Sequence, residues 1–225
     1  VLADNEPEIY SEGAILIEAN TGTILYEKNA NEVFEPASTT KILTALIALE
    51  KCDLNEVATA SSTAINGIPS NYAIADIRVG EQFTIEQLLN VLLIHSANEA
   101  ANVIAEYVAG SQEHFAELIN KRAKELGCQN SNFVNANGIE NENHYTTAYD
   151  LAMIMKQCVK NENFKKIIST EKYTLSTTEL NSETRSFQNN NSLIIKGDKY
   201  YYEYCVGGKT GYTKEAKNCM VSLAS

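Results

Sequence analysis

Ser38-Thr39-Thr40-Lys41 places a hydroxyl and an amine three residues apart. In a helix that spacing puts both on one face, a single turn from each other. The lysine opens a run, KILTALIALE, in which Ile42, Leu43, Ala45, Leu46, Ile47, Ala48 and Leu49 leave almost no polar face. A helix apolar nearly all round belongs in a core. A lysine there is costly unless its environment uses it. Burial lowers its pKa, and an amine so lowered can take a proton from a neighbouring serine. The serine, at the helix start, faces free backbone N–H groups and the positive dipole end, which favour an oxyanion. The chemistry indicated is nucleophilic, with Ser38 attacking and Lys41 as base. The pattern is weak alone, because roughly one S-x-x-K is expected by chance in a chain of this length. A second, Ser169-Thr170-Glu171-Lys172, falls where a helix gives way to a strand, and Ser169 reads as a helix-end residue.

Two further triplets carry polar groups suited to the same chemistry. Ser96-Ala97-Asn98 sits between VLLIH and EAANVIAEYVAG. Either Ser96 or Asn98 is suited to cap the following helix, and a capped loop can also present a hydroxyl and an amide to a cleft. Lys209-Thr210-Gly211 follows two glycines and precedes Tyr212. Gly211 is either an ordinary strand glycine or the place where a strand edge lies close to something, such as a ligand pairing along it. Lys209 and Thr210 add a cation and a hydroxyl suited to a carboxylate.

The elements that must position these groups follow from periodicity and caps. GAILIEANTGTILYEKN (13–29) alternates about Asn20-Thr21-Gly22 and predicts a hairpin. Pro36 sits where a helix's first turn loses nothing by lacking an N–H. Thr84-Ile85-Glu86-Gln87 is a capping box, Gly110 and Gly127 close helices, and Thr147 to Asp150 caps another. From about Lys172 the texture turns to strands: YTLS, SLII, YYYEYCV and CMVSLAS, with QNNNS as a loop. The order strands, helices, strands predicts an α/β (α+β) fold in which N- and C-terminal strands form one antiparallel sheet around an inserted helical region, about 36–168. CMVSLAS reads as a strand running to the last residue, so 1–225 is expected to be one catalytic domain cut short at its C-terminus.

A formal net charge of −11 argues against nucleic acid or an anionic membrane as partner. No apolar run is long enough to span a bilayer, and VLADNEPEIYSEG lacks the order of a leader peptide, which suits a mature chain whose leader has been removed and equally a cytosolic protein. Five scattered cysteines read as buried thiols. His95, His114 and His144 lie apart, without H-E-x-x-H, so each reads as a surface or structural histidine and no metal or cofactor is implied.

The ordered set S-x-x-K, S-x-N and K-T-G resembles the penicillin-interacting serine enzymes, whose motifs these are. PASTTK, the hairpin before it, SANEAANVIAEYVAG, FVNANGI (133–139), HYTTAYDLA (144–152), NNNSLI (189–194) and GGKTGYTKEAKNCMVS resemble serine-type D-alanyl-D-alanine carboxypeptidases, low-molecular-mass penicillin-binding proteins that trim peptidoglycan stem peptides. The resemblance runs from about Gly13 to the end. It implies the β-lactamase/penicillin-binding-protein fold, with Ser38 as nucleophile, Lys41 as general base and Ser96 relaying a proton to the leaving amine. Asn98 would orient the substrate backbone or Lys41, Lys209 would raise the local positive potential, and Thr210 would hold the terminal carboxylate. The N–H groups of Ser38 and Tyr212, beside Gly211, would form the oxyanion hole. It further implies a D-Ala-D-Ala stem peptide as partner and β-lactams as covalent inhibitors. The site would lie outside the cytoplasm, with membrane contact only through a C-terminal segment absent from this chain.

Other readings share part of the pattern. A class A-like β-lactamase needs a deacylating glutamate in an E-x-x-L-N element, which neither Glu140 nor Glu142 provides. A transpeptidase or endopeptidase of the same fold, or a sensor domain that acylates without turnover, would carry the same three motifs. A zinc D-Ala-D-Ala peptidase would need a ligand cluster that the histidines do not offer.

Overall fold

The computed structural model describes residues 7–225. The first six residues, part of the stretch read above for a leader, lie outside the described residues. Strands β1 (Ala14–Ile17) and β2 (Ile24–Lys28) form the expected antiparallel hairpin, with Gly22 at φ +80° in the turn. The helical block follows: α1 (Lys41–Lys51), α2 (Ser62–Ile65), α3 (Ile85–Asn90), α4 (Asn98–Ala109), α5 (Gln112–Glu125), α6 (Ala148–Cys158) and α7 (Glu162–Ile168). A short ladder of β3 (Val57–Thr59) and β4 (Gln82–Thr84) is set into it. Strands β5 (Lys172–Leu175) with β6 (Arg185–Gln188), and β7 (Cys205–Thr213) with β8 (Lys217–Ala224), complete the chain.

Local signals account for most of these boundaries. Thr84 and Gln87 form both halves of the capping box at α3. Ser111, Thr147 and Asn161 each accept a backbone N–H at the start of α5, α6 and α7. Gly110 closes α4 in the left-handed region, at φ +82°. Helix α1 is buried along Lys41–Ala48 and lies at the centre of the core, against α4, α5 and α6.

Two C-terminal segments differ from expectation. SLII is a 3₁₀ turn, Ser192–Ile194, because the Asn191 side chain accepts from Leu193 N and starts a turn. Tyr200, Tyr201, Tyr202 and Tyr204 are exposed loop residues, and the strand begins only at Cys205. The N- and C-terminal hairpins bracket the helices as expected, and both pack on α6. Backbone pairing runs within each hairpin; between them stand contacts such as Lys217 Nζ to Glu12 Oε1 at 3.1 Å.

Candidate active site

Ser38 lies in a 3₁₀ turn, Ala37–Thr40, and α1 begins at Lys41, so the single helix expected from PASTTK is two pieces. The turn is tightened by its neighbours. Ala37 has φ +48°, and two glycines press on it. A Cβ on Gly138 would overlap the Ala37 carbonyl, and one on Gly211 would stand 2.9 Å from Ser38 N and 3.1 Å from Thr39 N. The close approach inferred for Gly211 is therefore real, and what it approaches is the serine turn.

Lys41 is 0% exposed. Its Nζ lies 2.8 Å from Ser38 Oγ, 2.9 Å from Asn98 Oδ1 and 2.5 Å from the Asn137 carbonyl. Asn98 cannot turn its amide over without loss, because Nδ2 donates to the Ala73 carbonyl at 2.9 Å. Both Asn98 Oδ1 and the Asn137 carbonyl therefore face Lys41 as acceptors. Burial, and secondly the charge of Lys209, hold the Lys41 amine well below its usual range. A neutral amine has two hydrogens and one lone pair. With the hydrogens on Asn98 and Asn137, the lone pair is directed at Ser38 Oγ.

Helix α3 runs into a π-helical turn, Val91–His95, which ends at Ser96 in the left-handed region, φ +70°. The capping roles considered for Ser96 and Asn98 are not what is found. Ala97 stands at the N-cap of α4 with no side-chain cap, and Asn98 is the first helical residue. Both polar side chains are taken up by the two lysines instead. Ser96 Oγ accepts from Lys209 Nζ at 3.0 Å, and Lys209 also donates to the Thr210 carbonyl at 2.7 Å. Lys209 is 1% exposed, and burial brings its pKa down to about 7. Neither acceptor is charged, so the ammonium lacks a counter-ion among these contacts, a state that favours a bound anion.

These groups open onto a cleft of about 890 Å³ whose lining includes Ser38, Ser96, Asn98, Thr210, Gly211 and Tyr212. Tyr212 is 67% exposed at its edge. Asn71 to Ala73 form another part of the wall, and Glu140, set aside above as a deacylating base, lines it too. Burial, and secondly the nearby charge of Glu140, push the Tyr72 hydroxyl's pKa up. The second S-x-x-K takes no part: Ser169 follows α7 and donates to the Lys166 carbonyl, and Lys172 is exposed.

Sequence reasoning missed one backbone group of the site, the Asn137 carbonyl that accepts from Lys41. The carbonyl of Asn137 carries no signature in a side-chain motif, although FVNANGI was set out as part of the resemblance. Thr44 Oγ1 bonds the Ala136 carbonyl, and Asn137 Nδ2 bonds Asn102 Oδ1, so this segment is fastened to α1 and α4. His144, read as surface or structural, is structural. It is 2% exposed, its Nδ1 accepts from Val134 N at 3.0 Å, and its Nε2 is 2.8 Å from Thr40 Oγ1. All five cysteines are free thiols. Among the described residues no cluster suits a metal, and no helix is long and apolar enough to cross a membrane.

The D-alanyl-D-alanine carboxypeptidase family model, peptidase S11, matches residues 1–225. The D-alanyl-D-alanine carboxypeptidase DacF of Bacillus subtilis (strain 168) is 36% identical over 216 residues, covering 95% of this chain and 54% of the relative. That of Streptomyces sp. (strain K15) is 32% identical over 238 residues, covering 99% and 79%. The chain thus spans about half the length of the Bacillus relative and more of the Streptomyces one. Among solved structures, the Streptomyces K15 DD-transpeptidase superposes with a TM-score of 0.88 at 30% identity, over 98% of this chain and 87% of that one. The D-alanyl-D-alanine carboxypeptidase of Mycobacterium tuberculosis H37Rv superposes at 0.87, with 27% identity over 97% and 79%. The fold is accordingly the mixed α/β architecture of penicillin-binding proteins and β-lactamases, and with Ser38, Thr210 and Gly211 lining one cleft and the buried Lys41 bonded to Ser38, the chain belongs to the serine-type D-alanyl-D-alanine carboxypeptidase family.

Proposed function

We propose that the protein is a D-Ala-D-Ala carboxypeptidase that removes the terminal D-alanine from peptidoglycan stem peptides, outside the cytoplasm, and that β-lactams acylate it. Residues 1–225 would be its catalytic domain. The observation that carries this reading is the contact of Lys41 Nζ with Ser38 Oγ at 2.8 Å, while two fixed acceptors occupy the amine's other directions.

Ser38 attacks the penultimate D-Ala carbonyl as Lys41 takes its proton. The negative charge on the former carbonyl oxygen is met by the N–H groups of Ser38 and Tyr212. Collapse breaks the peptide bond, and the departing amine takes a proton relayed from Lys41 through Ser96. Lys209 and Thr210 hold the terminal carboxylate, where the otherwise uncompensated ammonium gains most from an anion. Gly211 lets β7 run close against the serine turn. Water then hydrolyses the Ser38 ester and frees the shortened peptide. Glu140, which lines the cleft, lies outside this scheme and is not in an E-x-x-L-N element, so a penicilloyl ester on Ser38 is expected to turn over slowly.

Intact-mass analysis with benzylpenicillin tests the reading. A long-lived adduct mapped to Ser38, absent from Ser38→Ala, is expected, together with release of D-Ala from a peptide ending in D-Ala-D-Ala. Lys41→Arg should fold yet lose acylation by at least about a thousandfold, since a guanidinium stays protonated. Rapid loss of the adduct would turn the assignment to a β-lactamase, and acylation without D-Ala release to a sensor.

A further inference from the structure

Glu99 is a buried carboxylate that the reaction above does not use. It is the second residue of α4, 2% exposed, beside Asn98. Its Oε1 accepts from Ala75 N at 2.5 Å and from Ile77 N at 3.3 Å. Its Oε2 is buried and has no hydrogen-bond partner. Such a group costs stability, and where it persists it calls for an explanation.

The segment it grips has no regular structure of its own, yet it forms a wall of the cleft through Asn71, Tyr72 and Ala73. Its backbone groups must be satisfied by other parts of the molecule. The Ala73 carbonyl takes both the backbone N–H of Asn98, at 3.0 Å, and Asn98 Nδ2, at 2.9 Å. His95 Nε2 meets the Ile74 carbonyl at 3.0 Å. From the far side, Arg185 Nη1 reaches the Asp76 carbonyl at 2.9 Å and is itself paired with Glu81 at 3.1 Å. The first turn of α4 therefore fastens the wall at Ala73, Ala75 and Ile77. The same Ala73 carbonyl sets which way the Asn98 amide faces, and so presents Oδ1 to Lys41.

We propose that Glu99 is a positioning residue: its carboxylate clamps the 73–77 wall onto α4, and through Ala73 it fixes Asn98 as the acceptor that aims Lys41 at Ser38. The clamp needs one acceptor oxygen at the right reach and does not need a charge. Glutamine supplies that oxygen, aspartate falls one methylene short, and alanine has none. The charge has a separate effect. The groups that act on Lys41 are the Lys209 ammonium and the Glu99 carboxylate, of opposite sign, and the neutral imidazole of His144 close by. Removing the carboxylate charge takes away one influence that favours protonated Lys41.

The inference rests on Lys41 being the base, so wild-type acylation at Ser38 is the control. If wild type forms no adduct, the functional reading has failed, and not this one. Acylation by a fluorescent penicillin is followed against pH for wild type and for Glu99→Gln, Glu99→Asp and Glu99→Ala. Glu99→Gln is expected to keep its plateau rate within about threefold while the rising limb of the profile moves to lower pH. Glu99→Asp should lose about tenfold at every pH, and Glu99→Ala more. Wild-type rates in Glu99→Asp, or a rising limb in Glu99→Gln that coincides with wild type, would overturn the proposal. Both variants keep a polar group of nearly native size, so the test stands even if Glu99→Ala does not fold. A role in folding alone would lower the melting temperature and leave the pH limb where it is.

Discussion

Lys41 and Lys209 are both buried amines, and burial lowers the pKa of both, with the Lys209 charge acting further against a protonated Lys41. Those directions are in keeping with the proposed division of labour, Lys41 as base and Lys209 as cation. The consequence is a falling limb in the free protein: as pH rises through about 7, Lys209 loses its charge and anchors a carboxylate less well. Second-order acylation by benzylpenicillin should decline above that pH, and Lys209→Arg should flatten the decline because its charge persists. An unchanged profile in Lys209→Arg would detach the limb from Lys209.

At the scale of elements, the three motifs were legible because each carries side chains whose chemistry is local. The helices between them were legible because their caps, Thr84, Ser111 and Thr147, lie beside them in sequence. What sequence could not show is how one backbone leans on another. SLII became a turn because a single asparagine captures Leu193 N, and the tyrosine run failed to become a strand despite its high β propensity. FVNANGI contributes a carbonyl, and Gly138 within it approaches the serine turn more closely than any side chain permits. Gly138 also has φ +81°, so alanine there meets both overlap and backbone strain. Gly138→Ala should cost about 2 kcal/mol or more of stability, read by urea unfolding, and reduce acylation at least about tenfold. Ser169→Ala, on the unused motif, should change neither.

Across the whole molecule, the chemistry is held in place by a neutral core that resists acid poorly. His144 ties the helical block together, accepting from Val134 N and meeting Thr40, and burial lowers its pKa from about 6.5 to about 4. The unfolded chain therefore binds this proton at a higher pH than the folded one does. Stability from this group is complete above about pH 6.5 and is lost as pH falls toward 4. The loss amounts to on the order of 3 kcal/mol. Urea unfolding of wild type between pH 6.5 and 4 should show that slope, and His144→Gln should be less stable overall but lack it. Sequence placed His144 in a family-like segment and described it as surface or structural; only packing shows that it is buried and joins distant parts of the chain.

The π-helical turn at Val91–His95 has a consequence for how this protein can change. Such a turn holds one residue more than a regular helix needs, and an α-helix advances about 100° per residue. Deleting any one residue there would let α3 continue unbroken and with better backbone bonding. It would also swing Ser96 away from Lys209 and carry Asn98 off Lys41. The most favourable local repair is thus the one that dismantles the cleft, and chain length in this stretch is constrained by geometry even where the choice of apolar side chain is not.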